Sequence, residues 1–156
     1  MSQTTYRIGI TQGDPNGIGW EVILKALSDA RMTELCTPVV YGSPAAAEYY
    51  RQTIAELEPI AFHAVVSAHE ARAGKVNLVA CGQTERIEPG QATAEAGRAA
   101  VEALQAAMHD LKEGRLDALV TAPIDKETVQ SDAFRFTGHT EWLGAELGGE
   151  PMMILA

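Results

Sequence analysis

Long apolar runs are missing from this sequence. No stretch approaches the roughly 18 to 20 residues that a membrane span needs, and Met1 to Tyr6 lacks the basic and then apolar regions of a signal peptide. The expectation is a cytoplasmic protein with no membrane partner. Cysteine is scarce too: Cys36 and Cys81 stand far apart and form no C-x-x-C pair, which argues against a zinc knuckle or a disulfide framework. Both read as buried thiols, with a single bridge between them left open. Basic residues are outnumbered 12 to 21 by acidic ones, giving a net charge of −9 with no Lys/Arg-rich run, so nucleic acid is not an expected partner. An anionic ligand must then be met by a local arrangement. Two phosphate-binding fingerprints are also absent. The early glycines fall at 13, 17 and 19, which is not the G-x-G-x-x-G spacing, and no Gly-Lys-Ser/Thr follows.

What is present reads as one α/β unit. At 156 residues the chain can bury about two-thirds of the surface that its unfolded form exposes. The β-type run from Tyr6 to Thr11 empties into Gln12-Gly13-Asp14-Pro15-Asn16-Gly17-Ile18-Gly19, and from Trp20 the apolar positions 20, 23, 24 and 27 recur at helical spacing. Strands are expected over 37–42, 60–66, 76–81 and 116–121, the last of them largely buried. In 60–66, Phe62, Ala64 and Val66 share one face and His63 lies on the other. Helices are expected over 44–57 and 93–114, the second with a core stripe of Gly97, Val101, Leu104, Met108 and Leu111 and with Gly114 as its stop. A short helix over 127–131 and a closing strand over 151–156 complete the pattern. If the sheet is parallel, Thr11 to Asp14 and Thr121 to Lys126 converge at its carboxyl edge, where open α/β sheets bind ligands. For the glycine-rich turn, and for Asp125 and Lys126, a structural role as turn and helix start stands beside the binding role.

Phe136-Thr137-Gly138-His139-Thr140-Glu141 sets a histidine, two hydroxyls and a carboxylate around a glycine. Thr140 reads as the cap of a helix whose apolar face is Trp142, Leu143 and Leu147, with Glu141 in its first turn. The free N–H groups of such a helix start suit an anion, phosphate above all, and His139 stands at the mouth. An exposed loop histidine beside a plain cap is the competing reading. His63, His69 and His109 receive no role.

Three stretches, Ile10 to Gly19, Val120 to Glu127 and Phe136 to Glu141, together with Ala-Glu-Ala-Gly-Arg-Ala-Ala at 94–100, resemble in order and spacing the PdxA family of 4-hydroxythreonine-4-phosphate dehydrogenases. The resemblance implies a three-layer α/β/α fold of the isocitrate/isopropylmalate dehydrogenase-like type, here truncated: residues 1–156 are one partial α/β unit, the amino-terminal portion, with the second half absent. It implies a homodimer that oxidises and decarboxylates 4-phosphohydroxy-L-threonine in vitamin B6 biosynthesis. NAD or NADP would serve as cofactor, with a divalent metal (zinc, magnesium or cobalt) whose histidine ligands lie outside this chain. His139 and Thr140 then become substrate-binding residues, and Gly138, Asp14, Asp125 and Lys126 further candidates. Trp20 stands where the family commonly has proline, and Asp125 where it commonly has asparagine or histidine. A carboxylate at 125 would repel a phosphate that an amide or imidazole could accept. A sister dehydrogenase of threonate or erythronate 4-phosphate, and a non-catalytic phosphometabolite-binding module, are the alternatives.

Overall fold

The computed structural model describes residues 5–54, 60–132 and 134–154. Five strands, β1 (Arg7–Thr11), β2 (Thr37–Gly42), β3 (Phe62–Val65), β4 (Val76–Ala80) and β5 (Ala118–Thr121), form one wholly parallel sheet in the order β3-β4-β2-β1-β5. The helices are α1 (Gly19–Leu27), α2 (Arg31–Leu35), α3 (Pro44–Thr53), α4 (Ala94–Lys112) and α5 (His139–Leu147).

Parallel strands need cover on both faces. All six residues of the central β2 are buried. On one face Trp20, Ile23, Leu24 and Leu27 of α1 pack with Val40, Leu78 and the α3 alanines Ala46 and Ala47, and Trp20 meets Phe62 edge-on at 6.3 Å between ring centroids. On the other face Ala103 and Ala107 of α4 cover Val39, Tyr41 and Val79. The expected three layers are therefore present. Helix α4 opens at Thr93, whose hydroxyl accepts the Ala96 N–H at 3.2 Å, and it stops at Gly114, which takes a left-handed φ of 68°. Its Gly97 serves contact: a Cβ there would stand 2.0 Å from the Thr128 carbonyl oxygen.

The strand order fixes where a site can form. From β1 the chain moves through α1 to β2 on one side, and after β4 it returns through α4 to β5 on the other side of β1. The β1/β5 junction is thus a topological switch point, with a crevice outside the strands' carboxyl ends.

Several local expectations are corrected. β5 is an edge strand and not a largely buried one, with Val120 52% exposed. The segment over 127–131 is turn, not helix; the Asp125 carboxylate accepts the Glu127 and Thr128 N–H groups at 2.9 and 3.0 Å and closes the chain into it. In β3, Val65 is buried and Val66 is 82% exposed, because the strand ends at Val65 and the chain turns through the short 3-10 helix Ala68–Glu70. Leu147 lies outside the α5 face that Trp142 and Leu143 bury. Residues 151–154 pair with no strand among the described residues. The ends of the expected helix (55–57) and of the closing strand (155–156) lie outside the described residues.

Candidate binding site at the sheet's carboxyl edge

The crevice is built first by the turn after β1. Asp14 donates its N–H to the Pro123 carbonyl at 2.9 Å, and the Ala122 N–H reaches the Thr11 carbonyl at 3.2 Å, so the two loops that follow β1 and β5 converge as expected. Gly13 is required twice over, since its φ is +67° and a Cβ would stand 2.3 Å from the Pro123 oxygen. Behind it, the fully buried Gln12 accepts from Trp20 Nε1 at 3.0 Å and from the Ser43 N–H at 2.8 Å. It also donates to the Gly82 carbonyl at 2.8 Å. One amide thereby ties together α1, the start of α3 and the loop after β4. Asn16 does the same for the 88–93 loop, accepting from the Glu88 N–H at 2.8 Å and donating to the Gln91 carbonyl at 3.0 Å. The glycine-rich turn is, in its own geometry, a scaffold. Neither role was visible in the sequence, because the partners lie tens of residues away.

On this scaffold opens a cavity of about 500 Å³ lined by Pro123, Ile124, Lys126 and the run Thr137 to Glu141. Helix α5 begins here at His139, two residues earlier than a Thr140 cap would place it. Its N-cap is Gly138, which offers no side-chain cap, so Thr140 is not the cap but sits inside the first turn. The N–H groups of His139, Thr140 and Glu141 consequently have no earlier carbonyl to bond within the helix. Gly138 is extended (φ 171°), a conformation open to any residue. Glu141 reaches back to the Thr137 N–H at 3.1 Å, and that hydrogen bonding, with the Lys126 charge behind it, holds its carboxyl below the ordinary value. Half-buried His139 has a ring nitrogen, Nε2, that is shielded from water and has no hydrogen-bond partner. Burial lowers its pKa from the usual 6.5, which keeps the imidazole neutral at pH 7. The cavity is thus lined by one ammonium, uncapped N–H donors, two hydroxyls, a neutral imidazole and the Glu141 carboxylate.

Asp14 and Asp125 are not in this cavity. They line a neighbouring one of about 330 Å³ with Asn16, Gly17, Gly90 and Gln91, and the two cavities share Pro123 and Ile124 as their common wall. Burial raises the Asp14 pKa, against the Asn16 N–H bond that pulls it down, and the Asp125 charge adds to the rise. Asp125 is held low by the Thr128 and Glu127 N–H groups. The structure therefore brings Gly138, His139, Thr140 and Lys126 together, adds Thr137, and sets the two aspartates apart.

Among the described residues no three His, Cys, Asp or Glu side chains are placed to hold a metal ion. Both cysteines are free and half-buried, and burial pushes the Cys81 thiol up to about 12. No described helix is long and apolar enough to cross a membrane.

Comparison with known proteins extends the geometry. The chain is 46% identical to the 4-hydroxythreonine-4-phosphate dehydrogenase of Bacteroides thetaiotaomicron over 99% of its own length and 43% of that protein's. It is 35% identical to the D-threonate 4-phosphate dehydrogenase of Cupriavidus necator over 100% and 48%. The crystal structure of a 4-hydroxythreonine-4-phosphate dehydrogenase from Burkholderia phymatum superposes with a TM-score of 0.87 at 31% identity, over 99% of this chain and 48% of that one. The chain spans about half the length of the curated relatives it matches. The family model described as pyridoxal phosphate biosynthetic protein PdxA matches residues 34–156, from the helix before β2 through the whole α5 cavity, and on that match the chain belongs to the PdxA family.

Proposed function

We propose that this chain is the amino-terminal, substrate-binding part of a cytoplasmic, homodimeric NAD(P)-dependent dehydrogenase that oxidises and decarboxylates 4-phosphohydroxy-L-threonine on the way to pyridoxal 5'-phosphate. The observation that carries the reading is the open start of α5. Its N–H groups, the Lys126 ammonium and the Thr137 and Thr140 hydroxyls line one cavity, and together they suit a phosphate. In a chain of net charge −9 such a site must be local. A neutral His139 lines the cavity without adding a second cation, and the Asp14 N–H bonded to its carbonyl fixes the cavity wall at Pro123. The Glu141 carboxylate lines the same cavity and is tied to the Thr137 N–H.

The nicotinamide cofactor, when bound, supplies the hydride acceptor. The described residues do not furnish a three-donor metal site; that ion and the cofactor are proposed to be held by the length of the relatives that this chain does not span. D-Threonate 4-phosphate is the second reading, supported by a match that runs over all of this chain and 48% of a dehydrogenase named for it. The phosphate-bearing end is common to both substrates.

Calorimetry tests the proposal. Both phosphorylated acids should bind the chain, and His139→Ala should weaken them about tenfold, or roughly 1.4 kcal/mol. The chain alone should not reduce NAD⁺ or NADP⁺. Absence of binding by either acid, or an affinity indifferent to His139→Ala, would overturn the site. Turnover by the chain alone would overturn the need for the remainder.

A further inference from the structure

We infer that Gln130 is a positioning residue of the α5 cavity: its side-chain amide fastens the wall that carries Lys126 to the wall that carries Thr137 to Glu141, so that the ammonium and the open helix start meet one and the same anion. The inference deepens the reading above and rests on it, since it takes that anion to be the ligand's phosphate.

The two walls come from separate pieces of chain. Lys126 follows β5 in the turn that Asp125 closes, whereas Thr137 to Glu141 lie further along and lead into α5. Between them the chain is anchored from beneath: Val129 and Phe134 are buried in the cluster that holds Trp142, and Phe134 meets Phe136 edge-on at 5.5 Å between ring centroids. A buried anchor fixes the middle of the segment, but the exposed rim residues Lys126 and Thr137 are set by what ties them at the surface. Gln130 Nε2 supplies that tie, donating to the Lys126 carbonyl at 3.1 Å and to the Phe136 carbonyl at 2.8 Å. Among the described residues no other hydrogen bond joins 123–130 to 136–141.

Both partners are carbonyl oxygens, so only the NH₂ end of the amide fits, and each of its two hydrogens has one acceptor. The tie reaches the cavity because Phe136 directly precedes Thr137 and the other carbonyl belongs to the residue that carries the ammonium. The Lys126 stem does run to the helix start: its Cε lies 3.9 Å from where a Gly138 Cβ would stand, and its charge helps to hold the Glu141 carboxyl low. Gln130 is exposed and does not line this cavity itself, so it acts through the two walls. An anion held by an ammonium and by helix N–H groups gains from both only if their separation matches it, to within about 0.5 Å. Two hydrogen bonds at the surface add little to stability; what they do here is hold a distance.

The test is calorimetry of the 156-residue chain with 4-phosphohydroxy-L-threonine and with D-threonate 4-phosphate, in the parent, Gln130→Met, Lys126→Met and the double variant. Gln130→Met keeps the length of the side chain and removes both donors. It should weaken both ligands by the same factor, on the order of tenfold, with a melting temperature within about 4 °C of the parent. In the Lys126→Met background, where no ammonium is left to place, the same substitution should cost under about twofold. A loss that reflected only a weaker fold would be equal in both backgrounds. Equal losses, a Gln130→Met affinity indistinguishable from the parent's, or a loss confined to one of the two acids would overturn the inference and leave the proposed function standing. If the parent binds neither acid, the proposed function fails, and hydrogen exchange in the ligand-free protein then decides the tie. Faster exchange at 137–141 in Gln130→Met, with the β1 and β2 amides unchanged, supports it; unchanged exchange at 137–141 refutes it.

Discussion

Two loops at the same edge of the sheet are built on opposite principles. The turn after β1 spends its polar atoms internally: Gln12 engages both ends of its amide, Asn16 fastens a second loop, and Gly13 is held where nothing larger fits. The junction before α5 does the reverse. Its helix start has no side-chain cap, His139 Nε2 has no partner, and Gly138 has open space around it. Both stretches look alike in composition, glycine with polar neighbours. Internal saturation separates them, since a polar group already satisfied by the fold has nothing left to offer a ligand, whereas an unsatisfied one gains from meeting it.

The sharpest way to break this contrast is Gln12→Leu. The substitution keeps a similar bulk but strands the Trp20 Nε1–H, the Ser43 N–H and the Gly82 carbonyl in the interior. At about 1 to 3 kcal/mol for each buried unsatisfied group, partly relieved by relaxation, the loss should be on the order of 4 kcal/mol. Chemical denaturation followed by circular dichroism reads it directly. A loss under about 1 kcal/mol would mean that the hub is not a scaffold. Ligand affinity of the folded fraction should remain within about twofold of the parent, a difference of under roughly 0.5 kcal/mol.

A third polar cluster, centred on α4, tests whether saturation is a general mark of scaffold. Asp110 is buried on α4 and accepts from the Tyr41 hydroxyl at 2.6 Å, from the Ala68 N–H at 2.7 Å and from Arg115 at 2.9 Å. Burial alone would raise its pKa, but these donors and the Arg115 charge outweigh burial and hold the carboxyl below its ordinary 3.8. A folded-state pKa below the unfolded one stabilises the fold above pH 3.8, and that contribution is lost as the pH falls through the folded value. Asp110→Asn should therefore cost roughly 2 kcal/mol at pH 7 and flatten the decline in stability below about pH 4. Parallel stability–pH curves for the two proteins, displaced but equally steep in acid, would show that Asp110 is not the linked group.

Much of the scaffold is legible in the sequence because it is periodic. The spacing of Trp20, Ile23, Leu24 and Leu27 predicts α1, and all four are buried in it; the stop at Gly114 and the strand Thr37–Gly42 follow local rules of the same kind. What escapes is set by distant partners. Whether β5 is central or an edge depends on the strand order, which no single stretch encodes, and so the exposure of Val120 could not be read from its apolar neighbours. Gln12 looks like one more polar residue in a turn until residues 43 and 82 are brought to it. At the α5 junction the expected helix start is present, with a cavity beside it. The cap moves from Thr140 to Gly138, because the helix starts with His139 already inside it, and Asp14 and Asp125 fall into a separate cavity on the far side of Pro123.

The smallest expected effect is also the cleanest separator of the two loops. At Gly138 an added methyl would meet nothing nearer than Lys126 Cε at 3.9 Å, and the extended backbone accepts a side chain. As the N-cap of α5, alanine is a slightly poorer choice than glycine, so Gly138→Ala should cost roughly 0.5 kcal/mol of stability or less. The methyl would project at the rim of the cavity that Lys126 and His139 line. If a phosphorylated ligand brings its anion to the α5 N–H groups, it must pass close to this position, and its affinity should fall several-fold, or about 1 kcal/mol. The same substitution at Gly13 must fight both a positive φ and a carbonyl 2.3 Å away, and it should unfold protein before it touches binding. A Gly138→Ala protein that loses stability and keeps its ligand would reverse the assignment, making the junction a second scaffold and returning the crevice at Asp14 to candidacy as the binding site.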